Sequence, residues 1–172
     1  MMTDPFLQRI VFKQDRGEFI DGHLRYMYIR ADALMGFIKA LPKDLHSLAF
    51  KALSESIAHH GHDSAKFYMQ QFEGGSESGL LEIIANTAPQ LGWGIWRFAD
   101  VSDNGMRLHV FNSPFVHGFG ELSEQPVCAA ITGMLQGISR IIYNAPVTVT
   151  ETRCMANELS PDACCHFSVV KS

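Results

Sequence analysis

The spacing of apolar positions changes character along this chain, and each change marks an element. From His23 to Arg30, Leu24, Tyr26 and Tyr28 fall on one side of an extended segment and Met27 and Ile29 on the other, which predicts a strand. Asp32 has the chemistry of a helix N-cap, so a helix is predicted from there to Leu41, stopped by Pro42. A long helix should follow from about Lys43 to Phe72. Leu45, Leu48, Ala49, Leu53 and Ile57 lie on its buried side, and Gly61 is a point of interruption. Glu73-Gly74-Gly75-Ser76 breaks the pattern, and Gly79 to Leu91 reads as another helix. After Gly92 the character becomes strand-like. Trp93 to Ala99 and Met106 to Phe111 read as strands, joined by Asp103-Asn104-Gly105, which has hairpin-turn chemistry. Pro126 suits the first turn of a helix. Beyond it Val127, Ile131, Met134, Leu135, Ile138, Ile141 and Ile142 recur at helical spacing until Asn144-Ala145-Pro146. A β-branched strand from Val147 and a last one, Phe167-Ser168-Val169-Val170, complete the chain. Strand, helices, hairpin, helix, hairpin argues an α+β domain, an antiparallel sheet with helices packed on one face.

Composition narrows the class. The 172 residues, 47% hydrophobic and 19% charged, describe one globular domain with a core of its own, preceded by an N-terminal arm. The arm is residues 1–22 and the domain residues 23–172. A net charge of -4 without a lysine-arginine run gives no nucleic-acid surface. No apolar run reaches the length of a membrane span, and Met1-Met2-Thr3-Asp4-Pro5 lacks the features of a signal peptide. A cytoplasmic protein with reduced cysteines is expected. A disulfide framework explains less, because all four cysteines crowd into the last quarter and would staple little of the chain. There is no internal repeat or low-complexity segment.

The chemistry is concentrated in that same quarter. The spacing Cys128-x22-Glu151-x2-Cys154-x10-Cys165 offers three thiols and a carboxylate, a plausible set for tetrahedral Zn²⁺. It matches none of the common zinc templates, and the bland alternative is a group of small buried hydrophobes beside a solvated glutamate. Cys128 falls in the first turn of the predicted helix, where the helix dipole favours thiolate. Glu151 and Cys154 are three apart, so a regular strand puts them on opposite faces. They can share an ion only if the strand ends or bends near Thr152.

Several of these residues carry a family resemblance. Asn112-Ser113-Pro114-Phe115, Pro126-Val127-Cys128, the helix glycines Gly133 and Gly137, Glu151-x2-Cys154 and Cys165-His166-Phe167 resemble the 4-vinyl reductase domain family. These are small-molecule-binding domains, some fused to aromatic-responsive transcription activators. The resemblance runs from about Tyr26 to Val170 and is specific only after Gly92. It implies an α+β fold related to the small subunits of TRAPP tethering complexes, and zinc at Cys128, Glu151, Cys154 and Cys165 beside a ligand pocket. Cys165 fits the Cys-x-Phe ending, with Cys164 in reserve. This chain has a longer loop, Asn157 to Asp162, before the last cysteines. It also has Val110 where the phenol sensors carry a tryptophan three positions before the motif serine.

Two further groups compete. His59, His60 and His62 could bind a metal, haem or another tetrapyrrole, or could simply form a polar helix face. The resemblance sets that helix against the ligand cavity, so the three are candidate ligand contacts. Among the many aromatics Phe67, Trp93, Trp96, Phe111 and Phe115 are the candidates for the wall of an apolar pocket. His109 and His117 read as ordinary strand and loop residues. No phosphate-binding loop, nucleophile elbow or reductase cofactor motif occurs. Two readings therefore stand: a sensor or carrier of a hydrophobic small molecule with a structural zinc, or a tetrapyrrole-binding protein or enzyme of tetrapyrrole metabolism. A homodimer is expected, with the apolar Phe6, Leu7, Ile10 and Phe12 needing cover. With no DNA-binding or ATPase segment in the sequence, any signal would pass to a partner chain.

Overall fold

The structure, a computed structural model, describes residues 6–71, 77–157 and 164–172. The predicted break at Glu73-Gly74-Gly75-Ser76, the aromatic Phe72 and the loop residues Glu158 to Asp162 lie outside them. A short helix α1 (Phe6–Arg9) leads into β1 (Val11–Lys13), β2 (Glu18–Asp21) and β3 (Leu24–Tyr26). These pair in order as an antiparallel three-stranded sheet. The segment expected as an arm is thus a helix and two strands, and β2 pairs across Gly22 with β3. The turn at Asp15-Arg16-Gly17 makes the first hairpin, with Gly17 at φ 61°, a left-handed value natural to glycine. The strand predicted from His23 to Arg30 stops at Tyr26, and 27–30 run without regular structure into α2 (Ala31–Lys39). Asp32 sits inside the first turn of α2 rather than at its cap, which is Arg30.

After a 3-10 turn (Lys43–Leu45) come α3 (His46–Gln71) and α4 (Glu77–Gln90). The hairpin β4 (Ile95–Ser102) and β5 (Gly105–Phe111) follows, then α5 (Pro114–Phe119) and α6 (Ala129–Tyr143). The chain ends in β6 (Val147–Arg153) and β7 (Cys165–Lys171). The second sheet is antiparallel, in the order β4-β5-β7-β6. Its inner face carries Trp96, Met106, Leu108, Val110, Phe167 and Val169, all buried, and α6 lays Ile131, Leu135, Ile138 and Ile142 into the same core. Burying each such side chain contributes about 1.5–3 kcal/mol. The outer face is polar or half-exposed, with His109 and His166 in ring contact at 4.5 Å and Arg107 exposed. The fold is α+β with its helices gathered on one face of this sheet. Asn144, left-handed at φ 42°, caps α6.

α3 runs unbroken through Gly61, contrary to the predicted interruption. The glycine there serves packing. α3 lies along α6, and a Cβ on Gly61 would meet Met134 Sδ at 2.8 Å. From the other side a Cβ on Gly133 would lie 2.2 Å from the Ser54 carbonyl oxygen, and one on Gly137 would lie 2.7 Å from that of Ala58. These are backbone atoms of a helix, which cannot swing aside. Gly133→Ala must therefore push the two helices apart. It is expected to destabilise by about 3 kcal/mol and to lower the melting temperature by roughly 6–12 °C in calorimetry.

Candidate functional site

Three segments bring the cysteines together. Cys128 is the N-cap of α6 rather than a residue of its first turn, and its carbonyl accepts the N–H groups of Ile131 and Thr132. Glu151 lies in β6, opposite Phe167. Between Glu151 and Arg153 the register against β7 slips by one residue, because Arg153 stands opposite His166. That bulge at Thr152 reverses the alternation, so Cys154, just beyond the strand, turns back to the buried side that Glu151 faces. Cys165 opens β7 opposite Val110. The sulfurs of Cys128, Cys154 and Cys165 and a Glu151 carboxylate oxygen all lie within 4.8 Å of one another. Cys164 is buried as well but is not one of the four.

The contacts around the cluster aim donors at it. Cys128 N–H donates to Glu151 Oε2 at 3.1 Å, Val127 N–H to Cys154 Sγ at 3.4 Å, and Met155 N–H to Cys165 Sγ at 3.4 Å. Ser113 Oγ is 3.2 Å from Cys128 Sγ, which is itself 3.6 Å from Cys165 Sγ. Four acidic groups in a buried site cannot all ionise. Burial, then the neighbouring Cys154, pushes the Glu151 carboxyl up to about 9. Hydrogen bonding to Cys154 and then Cys165 holds the Cys128 thiol well above its usual range. Cys165 is lowered by Cys128 but raised more by Cys154 and burial together. The negative charge collects on Cys154, which is driven far down by hydrogen bonding to Cys128 and Cys165.

This donor set fits a tetrahedral Zn²⁺. Zinc–thiolate bonds of about 2.3 Å put sulfurs about 3.8 Å apart, close to the Cys128–Cys165 separation. Glu151 Oε1 is buried with no hydrogen-bond partner, a costly state for a carboxyl oxygen unless a cation meets it. Four protein ligands would leave no open position, so the chemistry such an ion supplies is structural.

A cavity of about 500 Å³ lies among α3, α4, the 26–31 segment and the start of α5. On α3 its wall is Leu53, Ile57, Gly61, Ser64, Ala65 and Tyr68, one helical stripe. Trp93, Trp96 and Phe115 line it, and the Trp93 and Phe115 rings meet edge to face at 5.4 Å. Met27, Tyr28 and Ile29 line it too while being 75%, 71% and 52% exposed, which makes this segment the rim. Ser113, which touches Cys128, stands two residues before Phe115, so the cluster and the cavity wall are joined through α5.

The other expected wall residues lie elsewhere. Phe67 falls off the α3 stripe and packs against His23 at 4.8 Å. Phe111, next after the inward-facing Val110, is half-buried beneath the Arg97 guanidinium at 4.8 Å. His59 and His60 are exposed and group with Asp63, while His62 Nδ1 lies 3.2 Å from the Gly137 carbonyl oxygen. None of the three histidines lines the cavity, because all lie off the stripe. Ser113, Ala65 and Ala88 were missed. Only Ser113 carried a signal, in Asn112-Ser113-Pro114-Phe115.

Among solved structures, the phenol-responsive sensory domain of the transcription activator PoxR, crystallised with phenol, superposes with a TM-score of 0.81. The match covers 96% of this chain and 86% of that one, at 17% identity. This chain shares that domain's fold. The resemblance to the 4-vinyl reductase domains therefore stands at the level of the fold. A vinyl-4-reductase family protein from Methanocaldococcus jannaschii matches with a TM-score of 0.49 and 16% identity, over 83% of this chain and 90% of its own. No protein-family profile matches the sequence, and no curated protein does. Among the described residues no helix is long and apolar enough to cross a membrane.

Proposed function

We propose that this protein is a small-molecule-binding domain, a sensor or carrier that holds a hydrophobic ligand in the cavity. The observation that carries the reading is the cavity itself, about 500 Å³ with an apolar and aromatic wall, in a fold shared with a domain crystallised with phenol. Zn²⁺ at Cys128, Glu151, Cys154 and Cys165 fastens the last hairpin to α6 and supports α5 through Ser113. With Val110 in place of a tryptophan, the ligand need not be phenol. No histidine or cysteine lines the cavity among the described residues, so its wall offers no imidazole or thiolate to haem iron.

Both tryptophans of the chain line the cavity, so their emission reports its occupancy. Neutral small aromatics are expected to change that emission saturably. A panel that produced no saturable change would overturn the reading. The protein is further proposed to pair with a second copy, through which a signal would pass to a partner chain. Of the residues expected to need cover, Leu7 and Phe12 are more than half exposed, with Val11 and Tyr28 beside them, whereas Phe6 is buried against Tyr26. Sedimentation is expected to give twice 19.2 kDa, and a concentration-independent monomer would rule the dimer out.

A further inference from the structure

The polar groups on the cavity wall are few, and several are engaged. Ser64 Oγ donates to the His60 carbonyl at 3.1 Å. The Gln90 side chain accepts from Leu7 N–H at 3.0 Å and donates to the Asn86 carbonyl at 2.8 Å, so both its ends are used. The Trp96 indole N–H donates to the Trp93 carbonyl at 3.1 Å. Among the described residues no lining residue is charged. Tyr26 and Tyr68 are different. They reach the cavity from β3 and α3, and their hydroxyl oxygens are 2.5 Å apart.

Two hydroxyls in one mutual bond use one hydrogen and leave the other to point elsewhere. Arg9 also hydrogen-bonds Tyr68 and stacks over its ring at 5.1 Å, taking up acceptor capacity on that side. The Arg9 charge is already neutralised by Asp21 at 3.1 Å, whose side chain is 6% exposed. It is therefore not on offer to an anion. Burial raises both phenols above their usual range, so each keeps its proton at neutral pH. Thr87 and Trp93 also put polar groups on the wall. The Tyr26–Tyr68 pair is the place where two hydroxyls share one bond, so it presents a spare O–H donor at this end of the cavity.

We infer that the cavity selects an uncharged ligand carrying a hydrogen-bond-accepting oxygen, which the Tyr26–Tyr68 hydroxyl pair anchors at its N-terminal end. This rests on the cavity being the ligand site. A carboxylate would lose its hydration there and find no free cation, so anions are excluded. A pure hydrocarbon would fit but leave the donor unpaired.

The test is calorimetric titration with three probes of matched size: acetophenone, which carries a carbonyl, cumene, which carries no polar atom, and benzoate, which is an anion. Acetophenone is expected to bind about tenfold tighter than cumene, the worth of one such hydrogen bond. Benzoate is expected not to bind. In Tyr26→Phe/Tyr68→Phe the preference should vanish while cumene affinity stays within about twofold. That second readout shows the cavity intact, and the acetophenone–cumene comparison on the parent protein stands by itself if the double variant does not fold. Equal affinity for acetophenone and cumene would overturn the anchor and leave the ligand site standing. Benzoate binding as well as acetophenone would overturn it too. A preference that survives in the tyrosine variants but disappears in Trp93→Phe would move the donor to the indole and overturn it as well. If none of the three probes binds, the cavity reading itself fails, and the anchor with it.

Discussion

Cys154→Ser is expected to leave the protein without zinc and to lower its melting temperature by about 10 °C or more. Cys154 is the natural anion of the cluster, accepting the Val127 N–H and hydrogen-bonded to both other thiols. A serine hydroxyl there is a far poorer metal ligand. Removing it leaves Glu151 and two thiols buried around a cation they hold too weakly. Losing a buried, paired charge costs about 3–5 kcal/mol, and each kcal/mol is worth roughly 2–4 °C in a domain of this size. Cys164→Ser should keep its zinc and melt close to the parent, since Cys164 is buried outside the cluster. Zinc uptake should also release protons, because the metal-free site keeps Glu151 protonated up to about 9 and the Cys128 thiol protonated above its usual range. Affinity should therefore climb steeply as pH rises from 6 to 8. Metal analysis with a calorimetric melt checks the variants, and proton release into a pH indicator checks the linkage. A Cys154→Ser protein that melts with the parent would remove zinc from the account.

How much of this was legible beforehand depends on the range of the interactions. The hairpin at Asp103-Asn104-Gly105 and α6 were readable because turn chemistry and helical periodicity act over a few residues. The condition set on Glu151 and Cys154, that the strand must bend near Thr152, followed from strand geometry alone, and the bulge lies there. The role of Gly61 was misread because a glycine in a helix looks the same whether it breaks the helix or admits a neighbour. Only the proximity of Met134, 73 positions on in the sequence, distinguishes them. Of the three-stranded N-terminal sheet only β3 was foreseen, inside the strand predicted from His23; β1 and β2 were missed because they are three and four residues long, too short for an alternation to register. The choice among aromatics failed at Phe67 and Phe111 for a related reason. Composition says that a wall can be built, but one step along a helix or strand decides which ring faces it.

Ala65→Phe is expected to abolish ligand binding, by about a hundredfold or more, while the protein still folds. Ala65 is buried at 1% exposure, in the middle of the α3 stripe that lines the cavity between Ser64 and Tyr68. Because Ala65 is on the lining, a phenyl ring at that position is expected to enter the void. There it finds Trp93, Trp96 and Phe115 as partners and replaces the ligand's contacts with its own. Filling a void in this way commonly stabilises by about 0.5–2 kcal/mol, against a strain cost of similar size if the ring is forced off a rotamer. The melting temperature should therefore stay within a few degrees of the parent, unlike that of Cys154→Ser. Phe111→Ala is the contrast. Its ring lies on the outer side of β5 under Arg97, so the affinity for the same probe should change less than about twofold. Trp93 and Trp96 emission read against a titration of acetophenone would separate the two. If Ala65→Phe bound acetophenone as the parent does, the ligand would be sitting somewhere other than this cavity.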